Sequence, residues 1–228
     1  MPATTDILEL RQLLAQRFPH LRTGARVAPP TETLATGVGA FDVLLEGGLP
    51  RGQFTELVGA GHGSGGSGSA QVIHSLLRRT AADGQFLALV DGADSFDVSA
   101  VEPDVLAHLL WVRCTNAGDA LKAADLLLRD NNFPLVAIDL KLNSVGQLRK
   151  ISSSIWYRLG RILEQSRTAV LVVTPHALVS GVAWRVQVES GLGIEALMQS
   201  PEELVPQLRF MVLRSALAPG EAMARKAG

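Results

Sequence analysis

The 228-residue chain has little of several residue types, and each scarcity excludes a class of protein. Its single cysteine, Cys114, allows no disulfide framework, and its position after an apolar stretch predicts a small core residue. No apolar run approaches the roughly 18 residues that a membrane-spanning helix needs. The N-terminus carries Asp6, Glu9 and Arg11 where a secretory signal would be apolar. We therefore expect a cytoplasmic protein with no membrane contact.

The chain also lacks an excess of either charge. Its formal net charge is −1 at pH 7, so no field of the whole molecule attracts nucleic acid. Any DNA or partner contact would need a local basic patch, and the candidate residues are Arg209, Arg214, Arg225 and Lys226. The alternative is an ordinary solvated edge and tail. We expect nucleic-acid binding to be weak or absent.

Hydrophobic residues make up 47% of the chain, which is enough for one sizeable core. We predict an N-terminal helix and linker over residues 1–33, a core over 34–215 and a flexible tail over 216–228. The helix is predicted for residues 5–18 because apolar residues recur there at helical spacing. Its apolar stripe consists of Ile7, Leu10, Leu14 and Phe18. Such a tethered helix either folds back onto the core or binds a partner.

The core alternates between strand-like and helix-like patterns. Apolar runs predict strands at 54–58, 85–91, 109–114, 134–139 and 168–174. Helical periodicity falls between them, including residues 117–131 and 144–165. This order predicts an α/β fold with a mostly parallel sheet flanked by helices. Alternation from Val182 to Glu189 and a run from Leu208 to Leu213 predict antiparallel strands at the C-terminal edge.

A glycine-rich stretch, residues 59–70, lies between the first of these strands and a helix predicted to begin near Ser69. Strand, glycine loop and helix form the context of a phosphate-binding P-loop, GxxxxGK[ST]. In that loop the backbone N–H groups, a lysine and a hydroxyl hold the phosphates and Mg²⁺. A Gly/Ser linker between domains is the alternative, but the flanking elements are too short to end a domain.

The lysine of this pattern is missing. Counted from Gly59, its position falls on Gly65, and counted from Gly61 it falls on Ser67. Losing a charge-assisted contact to phosphate costs roughly 2 to 5 kcal/mol. We therefore predict a degenerate nucleotide-binding loop, with no cofactor and no metal. Its residues are Gly59, Gly61, Gly63, Ser64, Gly65, Gly66 and Ser67.

The segment from Thr36 to Ile73 resembles the start of the RecA ATPase core. It contains a TG pair at Thr36, the motif GGLPxG over residues 47–52, and a strand that ends at Gly59. The apolar stretch that ends at Asp139 has the form of a Walker B segment. The resemblance implies a RecA-like core over most of the chain.

Several catalytic positions that the resemblance implies are altered. The catalytic glutamate would fall at Ala93, and Thr174 stands where a glutamine senses the γ-phosphate. The two DNA-binding loops are nearly deleted. We therefore predict no catalytic residues. The alternative is a weak ATPase with a role in DNA repair that takes its lysine from elsewhere, and the internal candidates are Lys122, Lys141 and Lys150.

Asp139 alone remains from the catalytic set. Lys141 lies two residues further on and so would share its face of the strand. We expect the Lys141 ammonium to compensate the carboxylate, since a partly buried charge needs a partner. Otherwise Lys141 begins a loop and points to water.

A RecA-like core that lacks these groups is similar to the ImuA family, small proteins encoded with bacterial mutagenic polymerase cassettes. The resemblance implies a non-catalytic adaptor in translesion synthesis and mutagenesis during the SOS response to DNA damage. The implied partners are RecA, an ImuB-like Y-family polymerase homologue and an error-prone replicative polymerase, with self-association left open. The chain is less similar to the SulA family, which implies inhibition of cell division as an alternative.

Overall fold

The computed structural model describes residues 32–59, 68–99, 101–190, 199 and 201–215. Three of the sequence-based predictions lie outside these residues. They are the N-terminal helix with Ile7, Leu10, Leu14 and Phe18, the loop positions Gly61, Gly63, Ser64, Gly65, Gly66 and Ser67, and the tail residues Arg225 and Lys226.

Strands and helices alternate along the described chain. The strands are β1 (Thr33–Leu34), β2 (Leu49–Pro50), β3 (Phe54–Gly59), β4 (Leu87–Asp91), β5 (Leu109–Arg113), β6 (Leu135–Asp139), β7 (Ala169–Thr174), β8 (Trp184–Ser190) and β9 (Leu208–Ser215). The helices are α1 (Gly39–Leu44), α2 (Ser69–Ala82), α3 (Pro103–Leu106), α4 (Ala117–Asp130), α5 (Val145–Leu148), α6 (Ser153–Leu163) and α7 (Pro201–Leu204). A 3₁₀ turn, Val205–Gln207, joins α7 to β9.

The main sheet has the strand order β5-β4-β6-β7-β3-β8-β9. Neighbouring strands are parallel from β5 through β8, and only β9 runs antiparallel to its neighbour β8. The predicted fold class, a mostly parallel sheet with an antiparallel C-terminal edge, is confirmed. The structure adds that β8 itself lies parallel to β3, so the antiparallel pairing is confined to β8 and β9.

Helices cover both faces of the sheet, so the central strands are buried on both sides and consist of continuous apolar runs. One core cluster includes Phe41 of α1 and Leu76 of α2. The cluster on the other face includes Leu121 of α4 and Trp156 of α6. Cys114 belongs to this second cluster, as predicted for a core residue, and burial raises the pKa of its thiol.

The helix predicted for residues 144–165 is two helices, α5 and α6, separated after Leu148. Ser144 caps α5 by accepting a hydrogen bond from the Gln147 N–H. Ser152 precedes α6 with an extended backbone. Serine competes with helical hydrogen bonding and favours helix starts, so the run of serines at 152–154 ends one helix and begins the next.

The GGLPxG motif forms a close turn between α1 and β2. Gly48 has φ +123°, and a Cβ atom at this position would lie 2.2 Å from the carbonyl oxygen of Leu34. Only glycine fits this approach. The turn pairs Leu34 of β1 with Leu49 of β2 and so leads the chain into β3. Within the described ranges, no helix is long and apolar enough to cross a membrane.

Candidate functional site

The candidate site lies at the carboxyl ends of the central parallel strands, where ligands bind in sheets of this kind. Gly59 ends β3 immediately before the glycine-rich loop, and α2 begins just after that loop. Asp139 ends β6, and Thr174 ends β7. The structure therefore brings Gly59, Asp139 and Thr174 to one edge of the sheet.

The end of the glycine loop packs tightly against the C-terminal strands. Gly68, which precedes α2, has φ +82°. A Cβ atom there would lie 2.4 Å from Cδ2 of Leu208 at the start of β9. The N-terminus of α2, the positive end of its dipole, directly follows the glycine-rich stretch in the chain, and such a terminus favours anions through backbone groups.

Asp139 is a carboxyl group whose protonated form is favoured. Burial and, to a lesser extent, the charge of Asp91 raise its pKa from 3.8 to about 6. The backbone N–H of Lys141 donates to its Oδ1 at 2.9 Å, which acts in the opposite direction. A carboxyl group with this pKa can hold or release a proton near neutral pH.

Lys141 contacts Asp139 differently from the prediction. The chain leaves the strand at Asp139 and turns, so the strand alternation does not continue to Lys141. Its backbone N–H makes the contact, and the ammonium forms no ion pair with Asp139 among the described residues. Burial lowers the pKa of Lys141. The Lys141 backbone N–H and, to a lesser extent, the charge of its ammonium therefore both lower the pKa of Asp139, so the expected compensation is present but comes mainly from the backbone donor.

Asp91 lies beside Asp139, on the neighbouring strand β4, and its carboxylate accepts hydrogen bonds from the loop that follows β4. It is buried and pairs in register with Asp139. Its carboxylate accepts hydrogen bonds from the N–H groups of Ser95 at 2.7 Å and Phe96 at 2.8 Å. The indole N–H of Trp111 also donates to it, at 3.3 Å. The second carboxylate at these strand ends therefore shapes the β4 loop.

Asp94, the carboxylate next to Ala93, is turned toward the outer strand β5. Arg113 of β5 donates to it twice, from Nε to Oδ1 at 2.6 Å and from Nη2 to Oδ2 at 2.8 Å. The Arg113 guanidinium also lies 4.8 Å from the centre of the Trp111 ring. Since β4 lies between β5 and β6, this pair holds Asp94 on the side opposite Asp139. Asp94 is therefore engaged by β5 and not by Asp139.

Thr174, where the resemblance implies a glutamine, donates a hydrogen bond from its hydroxyl to the buried carboxylate of Glu56 at 3.0 Å. Glu56 lies on β3 and is fully buried. It also accepts hydrogen bonds from the N–H groups of Leu178 at 2.7 Å and Val179 at 3.1 Å. These contacts fix the start of the loop that joins β7 to β8 and point the Thr174 hydroxyl into the sheet.

Arg185 completes the network around Glu56. Its Nε donates to Glu56 Oε2 at 2.5 Å, and its Nη2 donates to the carbonyl of Val179 at 2.6 Å. Sequence reasoning missed this group. Its signal is a glutamate inside the apolar strand FTELV, because a buried charge needs an opposite charge nearby. Arg185 is its register partner on β8.

Asn143 connects the loops that follow β4 and β6. Its amide donates to the carbonyl of Gly92 at 2.6 Å and to Gln147 Oε1 at 2.9 Å. Gln147 Oε1 also accepts from the N–H of Ala117 at the start of α4. The short segment between β6 and α5 is thereby held by both neighbouring elements.

The remaining predicted residues are separate from this edge. Lys122 lies on α4 and pairs with Asp119, and Lys150 is exposed after α5. Of the three internal lysines considered, only Lys141 contacts Asp139. Arg209 and Arg214 both lie on β9 and are exposed.

Comparison with known proteins finds a distant similarity to RecA proteins. No protein-family model matches the chain. RecA of Streptomyces venezuelae is 25% identical over 235 residues, which cover 87% of this chain and 60% of that RecA. RecA of Kineococcus radiotolerans is 32% identical over 127 residues, or 52% of this chain and 34% of that protein. RecA of Mycolicibacterium gilvum is 33% identical over 122 residues, with the same coverage of 52% and 34%.

The similarity and the sheet topology together support a RecA-like core. The chain spans about 60% of the length of the curated relatives with which it aligns over most of its own length.

Proposed function

We propose that this protein is a non-catalytic, RecA-like adaptor in bacterial DNA-damage tolerance. The proposal rests on one observation. Residues at or beside the altered catalytic positions make contacts within the protein. Thr174 bonds to the buried Glu56, Asp94 pairs with Arg113, and Ala93 has no functional group. The glycine loop adds no lysine. The fold of an ATPase is thereby kept, while the residues at or beside its altered catalytic positions make contacts that stabilise the structure.

The proposed partners follow from the similarity to RecA and the resemblance to the ImuA family. They are RecA itself, an ImuB-like Y-family polymerase homologue and an error-prone replicative polymerase. The adaptor would act in translesion synthesis and mutagenesis, and it would restrain recombination by RecA. In this proposal the protein acts by binding these partners and catalyses no reaction.

A capping mechanism explains how such an adaptor would restrain RecA. Subunits that pack head to tail extend a filament until one subunit lacks an interface. The apolar stripe of the N-terminal segment would bind a RecA subunit. A core without the contacts to ATP would offer no competent opposite interface. One bound copy would then stop extension.

The experiment measures RecA-driven strand exchange and RecA ATP hydrolysis on single-stranded DNA. Substoichiometric amounts of this protein should lower both, and the double variant Leu10→Asp, Leu14→Asp should lose the effect because it removes the apolar stripe. The matched control, Leu126→Asp, changes an exposed leucine on α4 and should keep the effect. The capping mechanism would be wrong if the protein did not bind RecA, or if the double variant inhibited RecA as strongly as the wild type.

A weak ATPase is the second candidate function, and one contact favours it. The backbone N–H of Lys141 donates to Asp139, and the charges of the two side chains attract each other. In that case Lys141 would supply the missing cation and Lys141→Ala would abolish hydrolysis of Mg-ATP. The adaptor proposal requires that neither the wild type nor this variant hydrolyses ATP.

A further inference from the structure

β9 forms an open edge of the main sheet. It is the last strand in the order of the described strands, and its eight residues include no proline and no acidic residue. One of its faces is covered, because Phe210 stacks on Phe41 of α1 with ring centroids 4.8 Å apart. On the outer side its main-chain groups have no partner strand among the described residues. Such an edge is a template for adding another strand.

A bulge gives the uncovered face of β9 an unusual composition. Arg209 pairs in register with Glu189, and Met211 pairs with Gln187. A register shift follows, so that Arg214 pairs with Arg185 and Leu213 becomes the extra residue. Without this shift Arg214 would face the core side, because side chains alternate along a strand. The bulge therefore places Arg209, Met211 and Arg214 on one face.

Among the residues that the structure describes, the two arginines on this face have no ion-pair partner. Neither Arg209 nor Arg214 forms an ion pair with any described residue. Glu189, opposite Arg209, accepts a hydrogen bond from Gln187, and Arg185 is held by Glu56. Between the arginines, Met211 is 48% exposed and the bulge residue Leu213 is 45% exposed. The face thus presents two unpaired cations that flank an apolar centre.

We propose that β9 is a docking strand for an extended acidic segment of a partner protein. The partner segment adds to the sheet edge by main-chain hydrogen bonds. The arginines are four register positions apart along β8, about 13 Å, so acidic side chains at i and i+4 of the partner would face them. An apolar side chain at i+2 would then cover Met211. This inference goes beyond the adaptor role and does not depend on it.

A polypeptide fits this face better than a nucleic acid. Nucleic-acid binding surfaces present continuous positive charge to the phosphates. Here the carboxylate of Glu189 lies on the same face, and the centre between the arginines is apolar. Guanidinium groups that are fixed on a strand form bidentate contacts with carboxylates.

The test begins with selection of random octapeptides, displayed on phage, against the full chain. The expected consensus has Asp or Glu at i and i+4 with an apolar residue between them. The enriched peptide is then synthesised with a fluorophore, together with a twin in which both acids are replaced by amides. By fluorescence anisotropy the twin should bind at least about tenfold more weakly.

Variants of the protein locate the site. The double variant Arg209→Glu, Arg214→Glu should weaken peptide binding by at least about tenfold. The matched control Arg149→Glu, Lys150→Glu reverses two exposed cations of the turn after α5 and should bind like the wild type. Amide hydrogen exchange of the complex should slow at residues 208–215. Circular dichroism of both variants verifies that they fold.

Several outcomes would overturn the proposal. They are enrichment of peptides without acidic positions, equal binding by the Arg209→Glu, Arg214→Glu variant, and exchange protection elsewhere in the chain. Binding of single-stranded DNA oligonucleotides that the same variant abolishes, with no peptide enriched, would assign the face to nucleic acid. Dimerisation of the chain that this variant abolishes would assign the edge to a second copy.

Discussion

Asp139 is an ionisable group of the candidate site, at the carboxyl end of β6. Its surroundings disfavour the charged form, because burial and the neighbouring Asp91 outweigh the Lys141 backbone donor and the charge of the Lys141 ammonium. In a metal-binding site the cation would reverse this preference. The raised pKa therefore reflects the burial of this carboxyl group beside a second carboxylate.

The pKa of Asp139 predicts an unusual dependence of stability on pH. Its value of about 6 in the folded chain exceeds the ordinary 3.8, so between these values the folded state binds more protons than the unfolded state. Ionisation of Asp139 consequently lowers the free energy of unfolding as the pH rises through this window. The substitution Asp139→Asn removes the ionisable group, and with it this loss of stability at high pH. The amide oxygen can still accept the hydrogen bond from the Lys141 N–H. The variant should exceed the wild type by about 2 kcal/mol at pH 8 and match it at pH 4.

Urea unfolding of both proteins from pH 4 to pH 8 measures this difference. Asp130→Asn, which changes an exposed aspartate at the end of α4, is the control and should run parallel to the wild type. Parallel curves for Asp139→Asn as well would mean that Asp139 titrates normally.

At the scale of elements, the loop between β7 and β8 is organised by one buried ion pair. Glu56 of β3 and Arg185 of β8 are adjacent in the sheet but far apart in sequence. Both reach into the loop, Glu56 to the N–H groups of Leu178 and Val179, and Arg185 to the Val179 carbonyl. A segment that would otherwise be mobile is thereby fixed against the sheet.

Glu56→Gln should destabilise the protein by about 3 kcal/mol, because it leaves the Arg185 charge buried and without its counter-charge. Amide exchange should accelerate most at Leu178 and Val179, which lose a charged acceptor. The double variant Glu56→Gln, Arg185→Met should recover part of the loss, since it removes the unpaired charge. Urea unfolding and hydrogen exchange measure these effects.

Glu189→Gln makes the same chemical change at an exposed position of β8 and should alter stability by less than about 0.5 kcal/mol. If Glu56→Gln cost no more than this control, the ion pair would not organise the loop.

The sequence predicts elements where the pattern is local and misses them where partners are distant. The continuous apolar runs of β4, β6 and β7 could be recognised because parallel strands are buried on both faces. The break between α5 and α6 was missed because the apolar periodicity continues across the serines. The bulge in β9 leaves no local signal at all, although it decides which face Arg214 occupies.

At the scale of the whole molecule, the order of motifs predicted the architecture and the place of the candidate site. Thr36 to Ile73 indicated a RecA-like entry, and the sheet topology agrees with it. The internal use of the site residues could not be predicted. Arg113 and Asp94, or Arg185 and Glu56, meet only after strands from separate parts of the chain have paired. The sequence shows that a lysine is absent from the glycine loop. Only the structure shows that the Asp94 carboxylate pairs with Arg113.

We propose that this RecA-like core does not use ATP, and calorimetric titration with Mg-ATP is the experiment that tests this proposal. Purified RecA in the same buffer serves as the positive control. We expect no measurable binding near physiological nucleotide concentration and an unchanged melting temperature at millimolar Mg-ATP, since a ligand that does not bind the folded state cannot stabilise it. A micromolar dissociation constant for ATP would contradict the account.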